Sequence, residues 1–92
     1  MTEIRVGTKY RLGHRILSGT KYDTYIGVNV TNGEEVAIRL EPTNQKKTRL
    51  LYEAKLWKLF QAPGLAQVYW YGVEGSYNVV VGELLGPSID EL

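Results

Sequence analysis

Three short segments carry residue types that can handle a phosphorylated ligand. The first is Leu17-Ser18-Gly19-Thr20-Lys21-Tyr22-Asp23, a turn between two β-patterned runs. A loop that closes over phosphates needs glycine, so that backbone N–H groups can approach the oxygens. Gly19 is the one glycine in this turn, and an ordinary hairpin turn explains it as well. The second is Val36-Ala37-Ile38-Arg39, which puts a cation on a strand, with Glu53 in the next helical run. A strand–helix ion pair of that kind can present positive charge to a phosphate; a surface Arg with a solvated carboxylate is the plainer alternative. The third is Glu83-Leu84-Leu85-Gly86 after a valine strand. Exposed backbone donors and acceptors there can meet the edge of a heterocycle, and a simple strand end fits equally.

The elements that hold these segments follow from pattern. Tyr10 to Leu17 alternates, with Tyr10, Leu12, His14 and Ile16 on one side, and reads as a half-buried strand. Thr24 to Val30 is β-rich, Thr31-Asn32-Gly33-Glu34 gives an Asn-Gly hairpin signal, and Glu35 to Glu41 is the return strand. Thr48 to Phe60 has no Gly or Pro, and Leu50, Ala54 and Trp57 recur at helical spacing. Ala62-Pro63-Gly64 ends that helix. Ala66 to Gly72 and Tyr77 to Glu83 are two further strands joined at Glu74-Gly75-Ser76. The order predicts an α+β domain, a five-stranded antiparallel sheet with one helix covering a face.

Length and composition bound the answer. The chain has 92 residues, room for one domain, whereas a barrel of eight strand–helix units needs about 250. Eleven Lys and Arg against ten Asp and Glu give +1, which predicts neither a nucleic-acid nor a membrane partner. Cysteine is absent and His14 is the one histidine, so no metal site is expected. The longest uncharged run, Leu59 to Val73, is too polar to span a bilayer, and Met1 to Arg5 has no apolar signal region. An intracellular protein, cytoplasmic or nuclear, is the expectation.

Taken in order, these segments resemble the N-terminal lobe of a casein kinase 1 family Ser/Thr protein kinase, closest to the alpha branch. The resemblance rests on Arg5-Val6-Gly7, Tyr10-Arg11-Leu12-Gly13, Thr31-Asn32-Gly33-Glu34-Glu35-Val36-Ala37-Ile38, Leu50-Leu51-Tyr52-Glu53, Tyr77-Asn78-Val79 and Glu83-Leu84-Leu85-Gly86-Pro87-Ser88. It implies five antiparallel strands plus one helix. It also implies a nucleotide site in which Ile16, Gly19, Val36, Ala37, Arg39, Glu53, Glu83 and Leu85 take part.

Several positions depart from the family pattern. Leu17 replaces the first loop glycine, and Lys21-Tyr22 replaces the aromatic-plus-glycine end. Arg39 replaces the strand lysine, and a planar fork does not substitute for a point charge. Gly82 replaces a large residue before the hinge and is expected to leave a hole, or backbone space for something else to fill. The family's catalytic loop and metal-binding Asp-Phe-Gly follow the hinge, and this sequence stops at Leu92. The expectation is therefore a module without kinase activity of its own and without a resident cofactor. Weak ATP binding through the hinge is the alternative. Redesign, or drift in a duplicated inactive kinase, would leave the same pattern.

Two surfaces are candidates for a protein partner. One is the lobe face around Glu53 and the hinge, with Trp57, Phe60, Tyr69, Trp70 and Tyr71 as lining residues or ordinary core; self-association is a further use for it. The other is the hairpin Asn29, Val30, Thr31, Asn32, Gly33 and Glu34, where Gly33 permits a turn with no side chain in the way. The resembling alpha-type casein kinases present such a glycine hairpin to the cereblon ubiquitin ligase when an imide drug is bound.

Overall fold

The computed structural model describes residues 4–20, 22–44, 48–60 and 67–84. It is an α+β domain. The strands are β1 (Arg5–Val6), β2 (Tyr10–Ser18), β3 (Asp23–Asn29), β4 (Glu35–Pro42), β5 (Val68–Glu74) and β6 (Tyr77–Glu83), with one helix, α1 (Leu50–Phe60), between β4 and β5. All pairings are antiparallel, in the order β1-β2-β3-β4-β6-β5.

The sheet has six strands rather than the expected five. The extra one is the two-residue β1, too short to show any periodicity in the sequence. It pairs Val6 with Tyr10 and Arg5 with Arg11. Its three-residue turn, Gly7 to Lys9, uses positive φ at both Gly7 (56°) and Thr8 (65°).

The expected alternation of β2 lapses after Leu12. Tyr10 is buried and Leu12 half-buried, but His14 and Ile16 are exposed. The register with β3 shifts between Leu12 and Arg15, and again between Arg15 and Leu17. Such bulges turn a strand away from its regular facing.

The sheet buries both faces. Val36 and Ile38 of β4 join Val6, Tyr10, Val79 and Val81 on one side. Val80 of β6 and Val68 of β5 pack with Leu50 and Ala54 of α1 on the other. Period-two geometry forces this split: β4 sends Val36 and Ile38 one way and Ala37, Arg39 and Glu41 the other. Trp57, expected on the core stripe with Leu50 and Ala54, is 43% exposed.

The start of α1 depends on Glu41. Arg49, just before the helix, is not a capping residue type, yet the first helical amides need acceptors. Glu41, 1% exposed, reaches in from β4. Its Oε2 accepts the N–H groups of Arg49 at 3.2 Å and Leu50 at 3.3 Å, and its Oε1 accepts Nδ2 of Asn78 at 2.9 Å. A buried carboxylate thus fixes α1 against β4 and β6. Among the described residues no helix is long and apolar enough to cross a membrane.

Candidate functional site

The residues expected to hold a nucleotide divide between the two faces of the sheet. Arg39, Glu53, Gly82 and Glu83 line one cavity of about 230 Å³, together with Tyr22 and Trp57. Ala37 lies opposite Gly82 in the β4–β6 ladder. Val36 is fully buried in the core of the opposite face, so its side chain cannot share a ligand with Arg39. Ile16 stands 42% exposed on the bulged end of β2. Leu85 lies outside the described residues, as do Ala62, Pro63 and Gly64.

The expected ion pair between strand and helix is not made. Among the described residues Arg39 forms no salt bridge with Glu53. The Arg39 guanidinium instead lies over the Tyr22 ring, 5.9 Å from its centroid. Cation–π attraction of this kind holds the fork against the aromatic face.

Tyr22 also closes the turn. Its carbonyl accepts the Gly19 N–H at 3.1 Å, so that donor is engaged within the chain. A Cβ at position 19 would stand 2.6 Å from the same oxygen. Gly19 is therefore required by the turn's own closure, independent of any phosphate. Beside this turn Arg15 Nη1 lies 3.5 Å from Asp23 Oδ2, an ion pair across the β2–β3 strands that is largely solvated.

The space expected at Gly82 is filled by backbone. A Cβ there would meet the Gln67 carbonyl oxygen at 2.8 Å. That oxygen accepts the Glu83 N–H at 2.9 Å, while Oε1 of Glu83 accepts the Gln67 N–H at 3.1 Å. The close approach of β5 to β6 takes the place of the missing side chain.

The second candidate, the β3–β4 hairpin tip, is built from local hydrogen bonds. Asn29 N–H donates to Glu34 O at 2.8 Å, and Gly33 N–H donates to Asn29 O at 2.7 Å. Two side chains make Asx turns: Asn29 Oδ1 accepts the Thr31 N–H and Asn32 Oδ1 accepts the Glu34 N–H, both at 2.9 Å. Val30 N–H donates to the Lys9 carbonyl at 2.8 Å, which braces the tip on the β1–β2 turn. Only Gly33 of the Asn-Gly pair takes positive φ, at 77°; Asn32 contributes its side-chain acceptor instead.

Donors and acceptors at the tip are thus unequal. Among the described residues the carbonyls of Val30, Thr31, Asn32 and Gly33 accept no hydrogen bond. Residues 30–34 are all exposed, and nothing lies within 4 Å of where a Gly33 Cβ would be. The tip is an exposed, acceptor-rich surface held by local hydrogen bonds.

Two tyrosines flank it. Burial, and then the Glu34 charge, raise the Tyr10 pKa above its ordinary value. Burial first, then Glu34, Glu83 and Tyr10, do the same for Tyr69. Among the aromatic candidates for an open lobe face, Trp57 and Tyr69 are exposed, and Trp70 and Tyr71 are half-buried against the two cores. The Phe60 side chain lies outside the described residues.

The bracing role of Lys9, the Glu41 carboxylate and the Gln67 carbonyl were not legible as site features. Glu41 did leave one signal: it lies on the Ala37–Arg39 side of β4, facing a helix that lacks its own cap. No family model matches the chain.

Proposed function

We propose that this chain is a kinase N-lobe-like module of the casein kinase 1 type that binds a protein partner through the Asn29–Glu34 hairpin tip rather than catalysing phosphoryl transfer. The observation that carries this reading is the imbalance at the tip. The N–H groups of Asn29, Val30, Thr31, Gly33 and Glu34 are engaged internally, while among the described residues the carbonyls of the exposed residues Val30 to Gly33 accept no hydrogen bond. A partner that supplies side-chain donors meets a preformed row of acceptors, with little ordering cost on this side. Gly33 lets that partner approach the backbone without meeting a side chain.

Among the described residues, five long antiparallel strands and a single helix support the N-lobe part of the reading. The Arg39–Tyr22 stack and the internally bonded Gly19 N–H support inactivity, because both groups that would grip phosphate are engaged with Tyr22. The testing partner is cereblon with an imide drug. Drug-dependent capture of the chain, lost on Gly33→Asn, is the expected result; no capture by the wild-type chain overturns this choice of partner.

The cavity beside Arg39, Glu53 and Gly82 favours a second reading, weak nucleotide binding. It requires a thermal shift with ATP and magnesium. A flat response at millimolar nucleotide removes it.

A further inference from the structure

Asparagine is a thermolabile side chain, and its neighbour decides how readily it reacts. The next residue's backbone nitrogen attacks the side-chain carbonyl carbon, and a Cβ on that next residue stands in the way. The chain has four asparagines. Asn29 precedes the β-branched Val30, Asn44 precedes Gln45, and Asn78 precedes the β-branched Val79. Asn78 is also only 7% exposed and donates its amide to Glu41. Asn32 alone precedes glycine, in an exposed turn with nothing within 4 Å of where a Gly33 Cβ would be.

Two hydrogen bonds act on the reacting atoms in opposite senses. The Glu34 N–H donates to Asn32 Oδ1 at 2.9 Å, which draws electron density from Cγ and makes it the better electrophile. The Gly33 N–H donates to the Asn29 carbonyl at 2.7 Å, a neutral acceptor that cannot take its proton. The carbon is primed and the nitrogen is held back.

We propose that Asn32 is a site of self-modification, deamidating through a cyclic imide with Gly33 whenever the Gly33–Asn29 hydrogen bond opens. The inference rests on the geometry of the tip and on no partner for it. Solvent base takes the Gly33 N–H proton. The nitrogen bonds to Asn32 Cγ, the Cγ–Nδ2 bond breaks, and Nδ2 leaves as ammonia with a proton from water. One water then opens the imide. Opening at Cγ gives aspartate, and opening at the Asn32 main-chain carbonyl carbon gives isoaspartate. In sum, amide plus water gives carboxylate plus ammonium.

The two products differ in effect. Aspartate keeps an oxygen for the Glu34 N–H and adds a charge. Isoaspartate routes the chain through Cγ and lengthens it by a methylene. The former Asn32 main-chain carbonyl becomes a carboxylate, so the row of acceptors from Val30 to Gly33 is broken, and a new anion stands close in sequence to Glu34 and Glu35.

The test incubates the folded full chain at mildly alkaline pH beside the same chain in urea. Peptide mass spectrometry and an isoaspartyl methyltransferase assay read the products. Asn32 should convert before any other asparagine in both samples, with isoaspartate among the products. Conversion should be about tenfold slower in the folded chain, the factor that one ordinary hydrogen bond supplies. Asn29→Ala removes the acceptor of the Thr31 N–H beside that bond. It should raise the folded rate severalfold and leave the rate in urea unchanged. An Asn32 that survives in the folded chain while the urea sample converts, equal rates in the two samples, earlier reaction at another asparagine, or a folded rate untouched by Asn29→Ala overturns the inference.

Discussion

The Val30 N–H donates to the Lys9 carbonyl at 2.8 Å, so the tip of one hairpin is anchored on the turn of another. That turn holds Thr8 at φ 65°, a conformation β-branched residues rarely adopt. Relieving it stabilises the brace. Thr8→Asn should raise stability by about 1 kcal/mol, because asparagine tolerates the left-handed region. Denaturant midpoints would measure the gain, and a lower midpoint would contradict the strained-turn account.

Gly82 is held to glycine by packing. Its missing side chain would begin 2.8 Å from the Gln67 carbonyl oxygen. Gly82→Met must displace backbone, and overpacking of this kind costs about 1–3 kcal/mol. Equilibrium unfolding that shows no loss would mean β5 yields freely at that point.

Glu41 is the structural anchor of the helix. Glu41→Leu leaves the Arg49 and Leu50 amides and the Asn78 side chain without their acceptor. Unsatisfied buried donors cost about 1–3 kcal/mol each, so the loss should exceed that of an average substitution. Circular dichroism should show helix signal lost before strand signal. Glu41→Gln should be milder, since its amide oxygen still accepts.

Alkaline pH tests the electrostatics around the tip. Tyr10 and Tyr69 both titrate above the ordinary value of 10.0, chiefly through burial and then through Glu34. Phenols with raised folded pKa values keep their protons longer in the folded state. Stability is therefore intact below about pH 10 and falls as pH climbs through the raised values. Glu34→Gln should lower both phenol titrations, read by phenolate absorbance. Titrations unmoved by that change would separate Glu34 from the two rings.

Much of the fold was legible because it rests on local pattern. Asn32-Gly33 marked the hairpin, and the run Thr48–Phe60 without Gly or Pro marked α1. What escaped depends on contacts between distant segments. β1 has two residues and exists through its pairing with β2. The outward turn of His14 and Ile16 follows from register shifts that no alternation reveals. Arg39 faces Tyr22, rather than Glu53, only once the turn has folded back. The site was half legible for the same reason. Gly33 announced itself by type, whereas the Lys9 brace is a backbone carbonyl that carries no side-chain signature.

The hairpin tip is the centre of this account, and Gly33 is where it is most exposed to test. Asn at position 33 can keep the positive φ, and no part of the fold lies within 4 Å of where its Cβ would be. It adds bulk only on the side a partner would approach. The measurement is a binding titration of wild-type and Gly33→Asn chains against cereblon with and without an imide drug. Saturable, drug-dependent binding by the wild type, abolished in Gly33→Asn at unchanged stability, is the predicted result. Equal binding by both chains would contradict recognition at the tip, and the absence of binding by the wild type would contradict cereblon as its partner.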